Sequence, residues 1–166
     1  MSTRWLMGLA LILSFTLGLS AKTPKEQGFS GKWQMVKDAS HSTATLADLH
    51  QQVKVHDADV TIQNEFPEPP NAVAPLVFLG IMTTSVQLKT DGSEVQSQIG
   101  PFLFLSKTTV DNNTMTTDWH AQINGDEVQG KWVRTLSDDG KQTTLQITES
   151  STKGQNGNAT LVLKRK

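Results

Sequence analysis

The chain has 166 residues, with 15 basic and 16 acidic side chains, 36% hydrophobic residues and no cysteine. This near-neutral balance provides no electrostatic basis for binding nucleic acid or an anionic membrane. The lack of cysteine excludes a disulfide framework, a thiolate zinc site and a lipid-anchored lipoprotein, so packing must hold the fold.

Residues 1–21 read as a signal peptide. Arg4 is the only charge before Lys22, and an apolar run follows from Trp5 to Leu19. Leu19-Ser20-Ala21 then supplies a small residue before the polar Lys22-Thr23-Pro24-Lys25. The run is shorter than the ~20 residues that span a bilayer, so cleavage is expected over retention as an anchor. Residues 22–166 are then one exported domain, periplasmic or extracellular, with no membrane span.

From Phe29 onward the pattern is period two, broken by turns. Thr45 and Asp48 have a weak capping-box spacing, which allows at most one short helix. Val53 and Val55 share a strand face, Ala58-Asp59 turns the chain, and Val60 and Ile62 continue on a second strand. Phe66-Pro67-Glu68-Pro69-Pro70 cannot be an interior strand, because proline lacks the ladder donor. Residues 72–82 are apolar apart from Pro75 and Gly80. They are expected to pack back on the domain or fill its mouth, the alternative being a lid or a membrane-touching loop.

Val86 and Leu88 alternate toward Thr90-Asp91-Gly92-Ser93, which predicts a hairpin. Phe102 and Phe104 open another strand, fading at Asp111-Asn112-Asn113. The clearest hairpin turns at Asn124-Gly125. Met115, Thr117, Trp119, Ala121 and Ile123 share one face of its first strand. Val128, Gly130, Trp132, Arg134 and Leu136 share the same face of its second, in either turn register. The opposite face carries Thr116, Asp118, His120, Gln122, Lys131 and Thr135, so both tryptophans point inward. Ser137-Asp138-Asp139-Gly140 leads into a strand from Thr143, and residues 150–158 read as a loop before the last strand. About eight to ten short strands at regular spacing predict an all-β, antiparallel barrel or sandwich.

Trp119 and Trp132 either fill the interior or, with Met115, hold a small hydrophobic ligand. Arg134 shares their face. It is expected at the rim with its head in water, because an unpaired buried guanidinium is costly. The alternative is that it meets a ligand's acidic group. Leu161, Leu163 and Arg165 share a face of the final strand.

Phe29-Ser30-Gly31-Lys32-Trp33 resembles the Gly-x-Trp opening of lipocalin-like β-barrels. That resemblance implies that Trp33 closes one barrel end and that a basic residue of the last strand, here Arg165, packs over it. The chain also resembles a group of exported bacterial proteins without a defined activity. Their pattern is a Gly-x-Trp start with a nearby Ala-Ser, a Thr-Asp-Gly turn, and a late Trp-x-x-x-Leu-Ser-x-Asp-Gly-Lys. The matching residues are Trp33 to Ser40, Thr90-Asp91-Gly92, and Trp132 to Lys141. Residues 72–82 depart from the usual spacing, and the other lipocalin motifs are absent.

No catalytic constellation, cofactor fingerprint or metal-ligand spacing involves His41, His50, His56 or His120. His56-Asp57-Ala58-Asp59 reads as turn chemistry. The expectation is a non-enzymatic, lipocalin-like binder of a small hydrophobic ligand. The alternative is a structural or protein-interaction module of the bacterial envelope, whose contact is the outer face or residues 72–82.

Overall fold

The computed structural model describes residues 28–43, 48–67, 85–99 and 102–166. Residues 1–21 and 72–82 lie outside the described residues, as do positions 45–47 of the candidate helix. Eleven strands form within the described residues. The first half of the chain supplies β1 (Gly31–Met35), β2 (His41–Ser42), β3 (His50–His56), β4 (Asp59–Glu65) and β5 (Ser85–Lys89). Then come β6 (Asp91–Ile99), β7 (Phe102–Asp111), β8 (Thr114–Ile123), β9 (Asp126–Leu136), β10 (Gln142–Ser151) and β11 (Asn156–Arg165). No helix among the described residues is long and apolar enough to cross a membrane.

The order across the sheet is β5-β4-β3-β1-β11-β10-β9-β8-β7-β6, with the two-residue β2 attached to β11. Every pair is antiparallel. The result is the expected all-β, lipocalin-like barrel, nearly closed. Tight turns set its registers: Asp57, Asn112 and Asn124 all take positive φ, at 54°, 53° and 51°, and Gly125 follows Asn124 at 75°. Along each long strand buried and exposed residues alternate, so one face fills the interior and the other meets water.

Three segments differ from the sequence expectation. Thr90-Asp91-Gly92-Ser93 does not close a hairpin. β5 and β6 follow one another across Thr90, yet no ladder joins them. Asp91 turns back on its own backbone, accepting from the Ser93 amide at 2.9 Å and its hydroxyl at 2.6 Å. The turn signal therefore makes a bulge inside β6, between Asp91 and Glu94. Ser97 Oγ donates across the resulting seam to the Gln87 carbonyl at 3.4 Å.

The second difference is at residues 150–158, mostly strand rather than loop. Ser150 pairs with Asn156 and Glu149 with Gly157, leaving a short turn at 152–155. Ser151 holds that turn: its amide donates to the Gln155 carbonyl at 2.9 Å, and its hydroxyl accepts from the Lys153 amide at 3.2 Å. Polar composition suggested a loop, but edge-to-edge pairing with a neighbour satisfies the same backbone groups. Third, the C-terminal end of the candidate helix is strand, because His50 begins β3.

Trp33 and Arg165 are register partners on β1 and β11. The indole is 1% exposed and donates Nε1–H to the Phe29 carbonyl at 3.0 Å. The Arg165 guanidinium carbon lies 4.4 Å from the ring centroid. Its nitrogens donate to the carbonyls of Ser30 at 2.6 Å, Gly28 at 2.5 Å and Gly140 at 2.9 Å. Gly31 permits this. Its φ is 143°, and a Cβ there would stand 2.6 Å from Arg165 Nη1.

Candidate functional site

The interior is built where β7, β8, β9 and β10 face β3, β4 and β5. Trp119 on β8 and Trp132 on β9 both point inward, as their spacing requires, and are 3% and 7% exposed. They meet each other at a ring separation of 5.8 Å and both meet Phe104 of β7, at 5.4 and 5.5 Å. Such offset contacts stabilise the trio beyond simple area burial. Gly130 makes room for it, since a Cβ there would fall 2.5 Å from Trp119 Cζ2. Neither indole N–H has a partner. Met115 is buried and stands opposite Arg134 in the β8–β9 register.

Arg134 is not at a rim. It is 4% exposed, and Leu136, two residues further along the same face, is itself buried. The side chain therefore cannot reach water past the end of its strand. Its Nη2 donates to Gln51 Oε1 of β3 at 2.8 Å, and Gln51 Nε2 donates to Asn64 Oδ1 of β4 at 2.8 Å. Nη1 has no partner. The three ion pairs among the described residues all lie elsewhere, on exposed side chains. Burial lowers the Arg134 pKa from its ordinary value to about 10, so the group remains a cation at neutral pH.

Beside the guanidinium is a cavity of about 20 Å³, room for one water-sized group. Gln51, Ile62, Val86, Met115, Trp132 and Arg134 are among its walls. A larger depression of about 680 Å³ spans β7 to β10. Its walls include Lys107, Asp118, His120, Gln129 and Lys131, which are exposed and alternate with the inward residues. It therefore lies on the outer surface. Lys131 and Asp118 pair there at 3.1 Å, and Lys107 and Glu94 at 3.5 Å.

The structure thus brings Met115, Trp132 and Arg134 to one cavity and sets Trp119 one ring further along. Trp33 and Arg165 form a separate contact. Among the described residues no cluster of three or more His, Asp or Glu could hold a metal. Sequence reasoning missed Gln51, Asn64 and Glu149. A strict period-two count would have found Glu149, which continues the inward series Thr143, Leu145, Ile147. Gln51 shares parity with Val53 and was equally legible.

Fold and interior define the class: a small antiparallel, lipocalin-like β-barrel with a buried cation inside. No protein-family model and no curated protein matches the chain. Solved structures do. One is a secretory abundant heat soluble protein from Ramazzottius varieornatus, at 12% identity and TM-score 0.52, covering 84% of this chain and 96% of that one. Another is zebrafish ileal bile acid-binding protein complexed with cholic acid, also 12% identical with TM-score 0.52, covering 84% and 99%. A third is secretory abundant heat soluble protein 4 from the same Ramazzottius species, 15% identical with TM-score 0.52, covering 89% and 99%. At these identities the likeness is one of fold.

Proposed function

We propose that this barrel is a non-enzymatic binder of a small hydrophobic acid, with the ligand's anionic head at Arg134 and its apolar body against Met115, Trp132 and their neighbours. The observation that carries this reading is a buried guanidinium with no carboxylate partner and one unpartnered nitrogen, facing a largely apolar cavity with room for one water-sized group, so a ligand's body would enter by displacing the side chains packed around it. An uncompensated buried cation is costly, and a ligand carboxylate would supply the missing charge and hydrogen bond. The Arg134–Gln51–Asn64 chain would hold the fork in place for it. A barrel of the same fold, the zebrafish bile acid-binding protein complexed with cholic acid, supports the reading.

Decanoate and decanol, matched in chain length, separate head from body. Titration followed by tryptophan fluorescence and calorimetry is expected to show the acid binding at least about tenfold more tightly than the alcohol. Arg134→Met is expected to abolish that preference. Equal affinity for acid and alcohol in the native protein, or no affinity for either, would overturn the reading.

The protein would act after export, following removal of residues 1–21. Amino-terminal sequencing of protein recovered from the extracytoplasmic fraction should begin at Lys22; an intact Met1 terminus would refute this.

A further inference from the structure

The Arg134 end is not the only place where polar groups are stranded in the barrel. Ser106, Trp119, Gly130 and Glu149 occupy one cross-strand row over β7, β8, β9 and β10. Ser106, Trp119 and Glu149 are 2%, 3% and 6% exposed. Ser106 Oγ, Trp119 Nε1 and both Glu149 carboxyl oxygens lack any hydrogen-bond partner. Buried polar atoms are normally satisfied, so three orphaned side chains in a single row demand an explanation.

Glycines flank Glu149 across the row. Glu149 is opposite Gly130 on one side and Gly157 on the other, so neither register partner crowds its carboxyl group. The Trp119 ring lies over Gly130: a Cβ on Gly130 would be 2.6 Å from Cε2, the atom that carries Nε1. The indole N–H thus overhangs the position directly opposite Glu149. Along β9, Gly130 and Arg134 are four residues apart, roughly 13 Å at the strand rise.

We propose that this row is a second polar subsite of the barrel, binding an aliphatic hydroxyl group of the ligand between the Trp119 N–H and the Glu149 carboxyl group. This rests on the binding reading above and adds the ligand class: a hydroxylated hydrophobic acid. The donor set selects the hydroxyl. Trp119 Nε1 can only donate, while the protonated Glu149 carboxyl group has one O–H donor and a free acceptor oxygen, so a guest that both accepts and donates satisfies all of them. A hydroxyl does both. An ammonium has only donors and would leave the indole N–H orphaned. Burial raises the Glu149 pKa from 4.5 to about 8. A carboxyl group kept neutral in this way also suits an uncharged guest better than it suits a buried ion pair.

Calorimetric titration with decanoate, 10-hydroxydecanoate and 10-aminodecanoate tests the assignment. The extended hydroxy acid separates its two polar groups by about the distance between the subsites. The native protein is expected to bind the hydroxy acid about tenfold more tightly than decanoate. Trp119→Phe, which keeps a ring but loses the N–H, and Glu149→Leu are each expected to remove that preference and retain decanoate binding. Decanoate binding with the same hydroxy-acid ratio in the native protein and both variants would overturn the subsite alone. A preference for the amino acid would overturn the hydroxyl assignment in favour of a cation site. Binding of none of the three would overturn the Arg134 reading together with the subsite.

Discussion

Replacing Glu149 by glutamine is expected to raise the melting temperature on the order of 10 °C at pH 8 and to change it little at pH 4.5 or below. The cause is proton linkage. In the folded barrel, burial raises the Glu149 pKa to about 8, whereas in the unfolded chain the group has its ordinary value near 4.5. Below the lower value both states hold the proton and ionisation imposes no penalty. As pH rises, the unfolded chain releases a proton that the folded chain retains, and stability falls until the folded group also ionises. Full stability therefore exists below about 4.5 and is lost progressively up to about 8. The two values bound the loss at about 5 kcal/mol, and relaxation around the charged group would bring it to a few kcal/mol. The glutamine amide cannot ionise, so the substitution removes the slope. Thermal denaturation of both proteins from pH 4 to 9 checks this; parallel profiles would mean that Glu149 carries no buried penalty.

Arg165→Ala should cost about 2–3 kcal/mol, and Arg165→Lys should recover less than half of it. One guanidinium stacks on Trp33 and donates to three carbonyls, from Gly28, Ser30 and Gly140. It joins the segment before β1 to the turn after β9. A lysine keeps the charge, but its single ammonium cannot present a planar fork to those carbonyls while covering the ring. An exposed cation–π contact contributes about 0.5–1 kcal/mol, and the hydrogen bonds supply the remainder. Urea unfolding checks the totals, and a double-mutant cycle with Trp33→Leu isolates the stacking part at about 1 kcal/mol. If Arg165→Lys equals the native protein, charge alone suffices and the fork is irrelevant.

The two residues show how unevenly the chain discloses itself. Trp33 and Arg165 were legible because the Gly-x-Trp resemblance implies a basic residue of the last strand over the tryptophan, and strand parity singles out Arg165, which closes the inward series Leu161, Leu163. Arg134 has the same parity yet was expected in water. Parity says which face a residue is on, but not how far it is from the end of the barrel. That distance depends on where β9 stops and on what Leu136 covers. Thr90-Asp91-Gly92-Ser93 failed as a hairpin for a related reason. Aspartate with glycine specifies a local bend, and the bend serves a bulge as well as a reversal.

By itself, then, the sequence determined the all-β class and the inward placement of Trp119 and Trp132, and it carried the motif likeness of the opening stretch to a lipocalin-like barrel. The first two come from alternation and turn chemistry, which act between near neighbours. Only the tertiary structure decided that Arg134 is buried on a Gln51–Asn64 relay, that β5 and β6 meet at an unladdered seam, and that Ser106, Trp119 and Glu149 share a row without partners. The turns fix register between neighbouring strands, but which side chains meet across the interior, and what covers them, depends on strands distant in sequence. That is set by how the whole barrel closes, and no local pattern encodes it.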